Sequence, residues 1–124
     1  MVQVLFIAAG GAIGSVFRYL VSTGIYILVG RAFPYGTLTV NVAGSMMIGV
    51  LYILFFERMD VSAEWRAGLI IGFLGGFTTF SSFSLETMNL IEAGEQLRAL
   101  LNVLFNVSLC LLACWSGIVI ARQL

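Results

Sequence analysis

The sequence predicts an all-α membrane protein with four transmembrane helices per subunit, and three observations predict it. Of 124 residues, 60% are hydrophobic and 10% charged, whereas a soluble domain carries about 45–50% apolar and about 25% charged residues. The six Lys+Arg are balanced by six Asp+Glu, a composition that excludes an ordinary soluble enzyme, a disordered chain, and a nucleic-acid binder with its basic patch. All six cations are arginines, at Arg18, Arg31, Arg58, Arg66, Arg98 and Arg122. They leave residues 32–56, 67–85 and 99–121 without a charge, and the first thirty residues carry only Arg18. A helix needs about 20 predominantly apolar residues to cross a bilayer, so four crossings fit and a separate soluble domain does not.

The first helix is expected from about Val4 to Val29. No Lys or Arg precedes Arg18 and the apolar pattern continues to Gly30, so the segment reads as a mature helix rather than a cleaved signal peptide. Gly30 to Gly36 holds the only proline, Pro34, and forms a turn. The second helix follows from about Thr37 to Phe56. Glu57 to Arg66 is the most charged stretch, with Ser62 placed as an N-cap and Trp65 as an interfacial aromatic.

The third helix starts near Ala67 and is expected to be broken in mid-membrane. From Gly72 to Ser84 the chain places Gly75, Gly76, Thr78, Thr79, Ser81, Ser82 and Ser84 where the bilayer centre should lie. Each glycine weakens a helix by about 1 kcal/mol relative to alanine, and hydroxyls bond freed backbone groups. Irregular backbone at that depth survives only when buried in protein or lining a wet cavity, which makes the segment a site candidate. The chain then continues through Glu86 to Ile91, turns at Glu92 to Glu95, and begins the fourth helix near Leu97.

Uncharged polar residues recur at one-turn intervals inside these helices. Thr37, Asn41 and Ser45 share a face of the second helix beside Gly44, and Asn102, Asn106 and Cys110 share a face of the fourth. Amides at lipid depth are costly unless paired or wetted, and gluing helices together is a common use for them. Three separate segments carry such stripes and none carries a buried charge pair, a pattern suited to a path for a small ion.

Phe73, Phe77, Phe80 and Phe83 form an aromatic stripe on the third helix, open to core packing or, through positive ring edges, to contact with an anion. Arg18 either snorkels to an interface or makes a vestibule positive. Glu86 reads as a helix-terminal or interfacial pairing partner. Gly10, Gly11 and Gly14, and again Gly44 and Gly49, follow the small-residue rule for close helix contact, and four short helices enclose too little room for a pore, so an oligomer is expected. Cys110 and Cys114 share a helix face and there is no histidine, so no zinc or haem site is expected.

Read in order, Gly10-Gly11-x-x-Gly14 with Arg18-Tyr19, then Gly36-Thr37-x-x-x-Asn41-x-x-Gly44, then Gly72-x-x-Gly75-Gly76-Phe77-Thr78-Thr79-Phe80-Ser81-Ser82-Phe83-Ser84-x-Glu86, the chain resembles the Fluc (CrcB) family of microbial fluoride channels along its whole length. The resemblance implies an antiparallel dual-topology homodimer in the bacterial cytoplasmic (inner) membrane, with two fluoride pores at the interface. It also implies a central structural sodium ion held by backbone carbonyls that map onto Gly75 and Thr78. The family's pore phenylalanines map onto Phe80 and Phe83, its pore asparagine onto Asn41, and its neighbouring hydroxyls onto Ser81 and Ser82. Thr37 joins this fluoride path and Arg18 its vestibule. Where the family often carries a tyrosine and serines on the fourth helix, this chain places Asn102, Asn106 and Cys110.

The implied activity is passive, selective export of fluoride. Fluoride enters a cell as the neutral acid, dissociates and is trapped, and an anion leak lowers it. Dehydrating so strongly hydrated an anion needs amides, hydroxyls and ring edges in place of water. A rival of equal size and segment count, the proton-coupled small multidrug exporters, needs a carboxylate in the first helix, and the first 56 residues hold no Asp or Glu. A purely structural subunit remains the third alternative. Arg58, Arg66 and Arg122 fall on one side of the membrane and Arg31 and Arg98 on the other. Three against two gives almost no orienting bias, so the chain is suited to insert either way up.

Overall fold

A computed structural model describes residues 1–124, all of them helical apart from short turns and caps. Helix α1 spans Val2–Val29 and α2 spans Tyr35–Ile53, the latter continuing as one π-helical stretch, Leu54–Arg58, closed by a Met59 N–H to Leu54 carbonyl bond of 2.7 Å. Helix α3, Ala63–Arg66, runs on through a π-helical stretch, Ala67–Leu74, into the single turn α4, Gly75–Phe77. Thr78 and Thr79 are extended, at φ −86°, ψ 159° and φ −151°, ψ 111°, before α5, Phe80–Glu92, and α6, Gln96–Gln123.

Four segments are long and apolar enough to cross a membrane: Val2–Val29, Tyr35–Arg58, Ala63–Glu92 and Gln96–Gln123. This is a multi-pass membrane protein. The spans begin one to four residues earlier than the hydropathy pattern indicates, the largest difference being at Ala63–Arg66, where a charged turn completes the helix start. Trp65 does sit near a helix end, its ring edge-on to Phe6 with centroids 5.1 Å apart. Ser62 occupies the N-cap position of α3, yet its side chain makes no capping bond. The cap made by a side chain lies elsewhere: Thr79 Oγ1 accepts from the Ser82 N–H at 3.1 Å at the start of α5.

The spans pack in two ways. Between α1 and the third span the backbones touch, since a Cβ at Gly14 would collide with the Phe73 carbonyl and one at Gly10 with that of Gly68. Phe73 stacks on Phe77 at 5.8 Å and meets Phe17 of α1 edge-on at 5.9 Å. Along α2 and α6 the contact is also close, with Val40 and Ile53 fully buried, and it continues into a polar seam facing α5. At one end Arg122 pairs with Glu57 at 3.2 Å, and Arg58 donates to the Arg122 carbonyl. At the other end Arg98 reaches the Ala32 carbonyl at 3.2 Å. These contacts bring Arg58 and Arg122 together at one end and set Arg98 against the turn after α1 at the other.

Candidate functional site

The extended pair Thr78–Thr79 is the centre of the site, and α2 supplies the side chain that holds it. A continuous helix would bond the Thr79 N–H to the Gly75 carbonyl; instead that N–H donates to Asn41 Oδ1 at 2.8 Å, and Asn41 Nδ2 donates back to the Thr79 carbonyl at 3.1 Å. One side-chain amide thus pairs both the N–H and the carbonyl of the buried Thr79. The approach is possible because residue 44, one turn along α2, is glycine: a Cβ there would strike Thr78 Cγ2. The Thr78 hydroxyl turns back to the Leu74 carbonyl at 2.9 Å.

From Asn41 the hydrogen bonding spreads into α6. Its Nδ2 donates to Asn106 Oδ1 at 3.1 Å, and Asn106 Nδ2 donates to the carbonyl and to Oδ1 of Asn102, both at 2.9 Å. Asn102 in turn donates to Thr87 Oγ1 at 2.9 Å. Asn102 is 1% exposed and Asn106 6%, so this run of amides is buried and its side chains bond one another rather than face lipid.

An open groove of about 500 Å³ runs along this seam, and none of its 15 lining residues is charged. Asn41, Asn106, Phe80, Phe83, Gly75 and Thr78 are among them, with Ser45 and Cys110 further along. The Phe80 and Phe83 rings are tilted at 59° with centroids 5.2 Å apart; Phe83 is 8% exposed and Phe80 77%. The aromatic stripe is therefore divided. Before the extended pair, Phe73 packs on Phe17 of α1 and Phe77 stacks on Phe73 with its ring beside Gly44 of α2; after it, Phe80 and Phe83 border the groove.

Other expected site residues lie apart from it. Ser81 and Ser82 sit on the first turn of α5, where Thr79 Oγ1 lies 3.3 Å from Ser81 Oγ and 3.0 Å from Ser82 Oγ, but they do not line the groove. Asn102 is buried behind it. Thr37 is buried and donates to Glu86 Oε1 at 2.6 Å. Glu86 lies within α5 rather than at its end, pairs with a hydroxyl rather than a cation, and leaves its buried Oε2 without a partner. It borders a second pocket of about 320 Å³ with Arg31 and Tyr26, where the Arg31 guanidinium sits 4.5 Å over the Tyr26 ring. Arg18 is half-buried on α1 and lines neither cavity. Cys110 and Cys114 are both free thiols.

Thr87 is the site residue that spacing and composition do not single out, and the capping role of Thr79 is not among the sequence expectations. The signal for Thr79 is the Thr-x-x-Ser run at a helix start, an N-cap pattern; Thr87 has no local signal, because its role depends on an asparagine fifteen residues away.

Residues 5–118 match the family described as CrcB-like protein, Camphor Resistance (CrcB). The chain is 55% identical over 124 residues, the full length of both, to the fluoride-specific ion channel FluC of Geobacter sulfurreducens. It is 53% identical over 123 residues to FluC of Coxiella burnetii (strain Dugway 5J108-111), covering 98% of this chain and 99% of that one. FluC of Magnetococcus marinus is 49% identical over 120 residues, 97% of this chain and 98% of the relative.

Proposed function

Since this chain belongs to the CrcB family, we propose that it is a fluoride-specific ion channel, a non-enzymatic transporter that exports fluoride passively and so lowers fluoride inside the cell. The observation that carries the reading is the uncharged groove bordered by Asn41, Asn106, Phe80 and Phe83 beside the two extended residues of the third span. Fixed dipoles and positive ring edges replace the hydration shell of a small anion without binding it so tightly that it cannot leave. No bond is made or broken, and no nucleotide or proton step is needed.

In this reading Phe80 and Phe83 present ring edges to the ion, Asn41 and Asn106 line its path, Ser81 and Ser82 supply hydroxyls next to the extended pair, and Thr37 supplies one further along α2. Arg18 raises anion concentration at a vestibule. The third span is broken at the bilayer midplane. The protein works in the bacterial cytoplasmic membrane as an antiparallel, dual-topology homodimer with two pores. Support for the second copy comes from Phe80, left 77% exposed although it borders the groove, and from Gly75, exposed on the same seam.

A structural sodium ion at the dimer centre is part of the same proposal. Gly75 and Thr78 fit such an ion: the Thr79 N–H that would occupy the Gly75 carbonyl in a continuous helix is bonded to Asn41, and Thr78 is extended. Carbonyls freed at a helix break suit a hard monovalent cation. Bound there, such an ion would supply a fixed positive charge, held by the Gly75 and Thr78 carbonyls.

The exporter reading has less support. Its carrier carboxylate belongs in the first helix, which holds no Asp or Glu, whereas Glu86 lies in the third span and is bonded to Thr37. Liposomes containing only this protein and loaded with fluoride or chloride test the proposal. Rapid fluoride loss with chloride retained is expected; equal rates, or no efflux of either, would contradict it.

A further inference from the structure

The amides at the groove belong to a committed ladder. A side-chain amide has two N–H donors, and Asn41 spends both, on the Thr79 carbonyl and on Asn106 Oδ1. Asn106 spends its donors on Asn102, Asn102 donates to Thr87, and the Thr87 hydroxyl donates to the Phe83 carbonyl at 2.8 Å. Donation therefore runs one way, from Asn41 to Phe83. It starts on Thr79, the N-cap of α5, and finishes on Phe83, so it brackets the first turn of that helix, the turn that carries Phe80, Ser81, Ser82 and Phe83. Asn102 and Thr87 line no part of the groove.

We infer that Asn41, Asn106, Asn102 and Thr87 form a positioning ladder that fixes the Phe80–Phe83 turn for ion passage, so that Asn102 and Thr87 govern flux without touching the ion. The inference rests on the fluoride-conduction reading above. A buried polar network with every member bonded rigidifies what it joins, and the loss of one member leaves its neighbour unpaired in a low dielectric. A stripped anion has no shell of water to take up slack, so a turn displaced by a fraction of an ångström presents its ring edges and hydroxyls at the wrong range. Asn102 on α6 and Thr87 on α5, which the ion never meets, then decide how well the turn is held.

Liposome efflux of the unmodified protein, Thr87→Val, Thr87→Ser, Asn102→Leu and the double variant Thr87→Val/Asn102→Leu tests this. Thr87→Val, which keeps the shape and removes the acceptor of Asn102, slows fluoride about tenfold. Thr87→Ser keeps the hydroxyl and restores most of the rate. The double variant is no slower than the slower single, as expected for two members of one chain of bonds. Unaltered flux in Thr87→Val, a Thr87→Ser variant as slow as Thr87→Val, or losses that multiply in the double variant would overturn the inference. Amide hydrogen exchange in detergent reads the turn independently of transport. Exchange at the Thr79 and Ser82 amides rises in Thr87→Val, and unchanged protection there contradicts the ladder. If the unmodified protein passes no fluoride, the channel reading falls while the exchange result still judges the ladder.

Discussion

Between Ala63 and Phe77 the third span rests on α1 through glycine backbones and stacked rings, whereas between Phe80 and Glu92 it rests on α2 and α6 through side-chain hydrogen bonds. The first contact is dispersion between surfaces that fit; it is strong in sum but fixes position only as well as shape does. The second is directional, with donors and acceptors whose geometry specifies one arrangement. The candidate site lies on the directional side. A protein that must hold ring edges and hydroxyls against a bare ion gains most from directional bonds there, and can leave the other half to close packing.

This contrast makes graded predictions. The largest effect is expected on the packed half: Gly14→Leu forces a side chain into the Phe73 carbonyl and should abolish a monodisperse species in size-exclusion chromatography, since overpacking alone costs about 1–3 kcal/mol and here the obstacle is backbone. If that variant still elutes as the unmodified protein does, the close approach is not needed for assembly. Next come Phe80→Ile and Phe83→Ile, expected to slow fluoride efflux severely while the elution profile stays intact. Normal conduction in both would return the rings to packing.

Asn41→Ala should follow, because it leaves the Thr79 N–H and carbonyl unpaired, at about 1–3 kcal/mol for each buried group. Its flux should drop well below that of Ser45→Ala, a residue that borders the groove further along. Equal small effects would make Asn41 ordinary helix glue. The smallest effect is expected from Thr79→Ala, which removes the cap on Ser82, worth about 1 kcal/mol. Thr79→Ser should restore thermal stability, and a Thr79→Ala melting temperature equal to that of the unmodified protein would show the cap to be idle.

The four spans were legible in the sequence because the arginines punctuate it: each uncharged stretch is long enough to cross, and charge is a property of single residues. The glycine contacts of α1 were legible as a small-residue pattern for the same reason, although the partner surface was not. What the stripes on α2 and α6 touch was not legible. Thr37, Asn41 and Ser45 share a face, yet the first meets Glu86, the second Thr79 and the third the groove, because the partner span changes along the length of α2. Equal spacing on one helix says nothing about register on another. The phenylalanine stripe shows the same gap, since its 3.6-residue period holds only while the helix is continuous, and two extended residues send Phe80 and Phe83 to a different neighbour from Phe73 and Phe77.

The most direct test of fluoride conduction is the efflux assay on liposomes that contain the purified protein and nothing else, with fluoride and chloride measured side by side. Fluoride should leave rapidly, without a proton gradient or nucleotide, while chloride stays. Absence of fluoride efflux, or chloride leaving at the same rate, would contradict it.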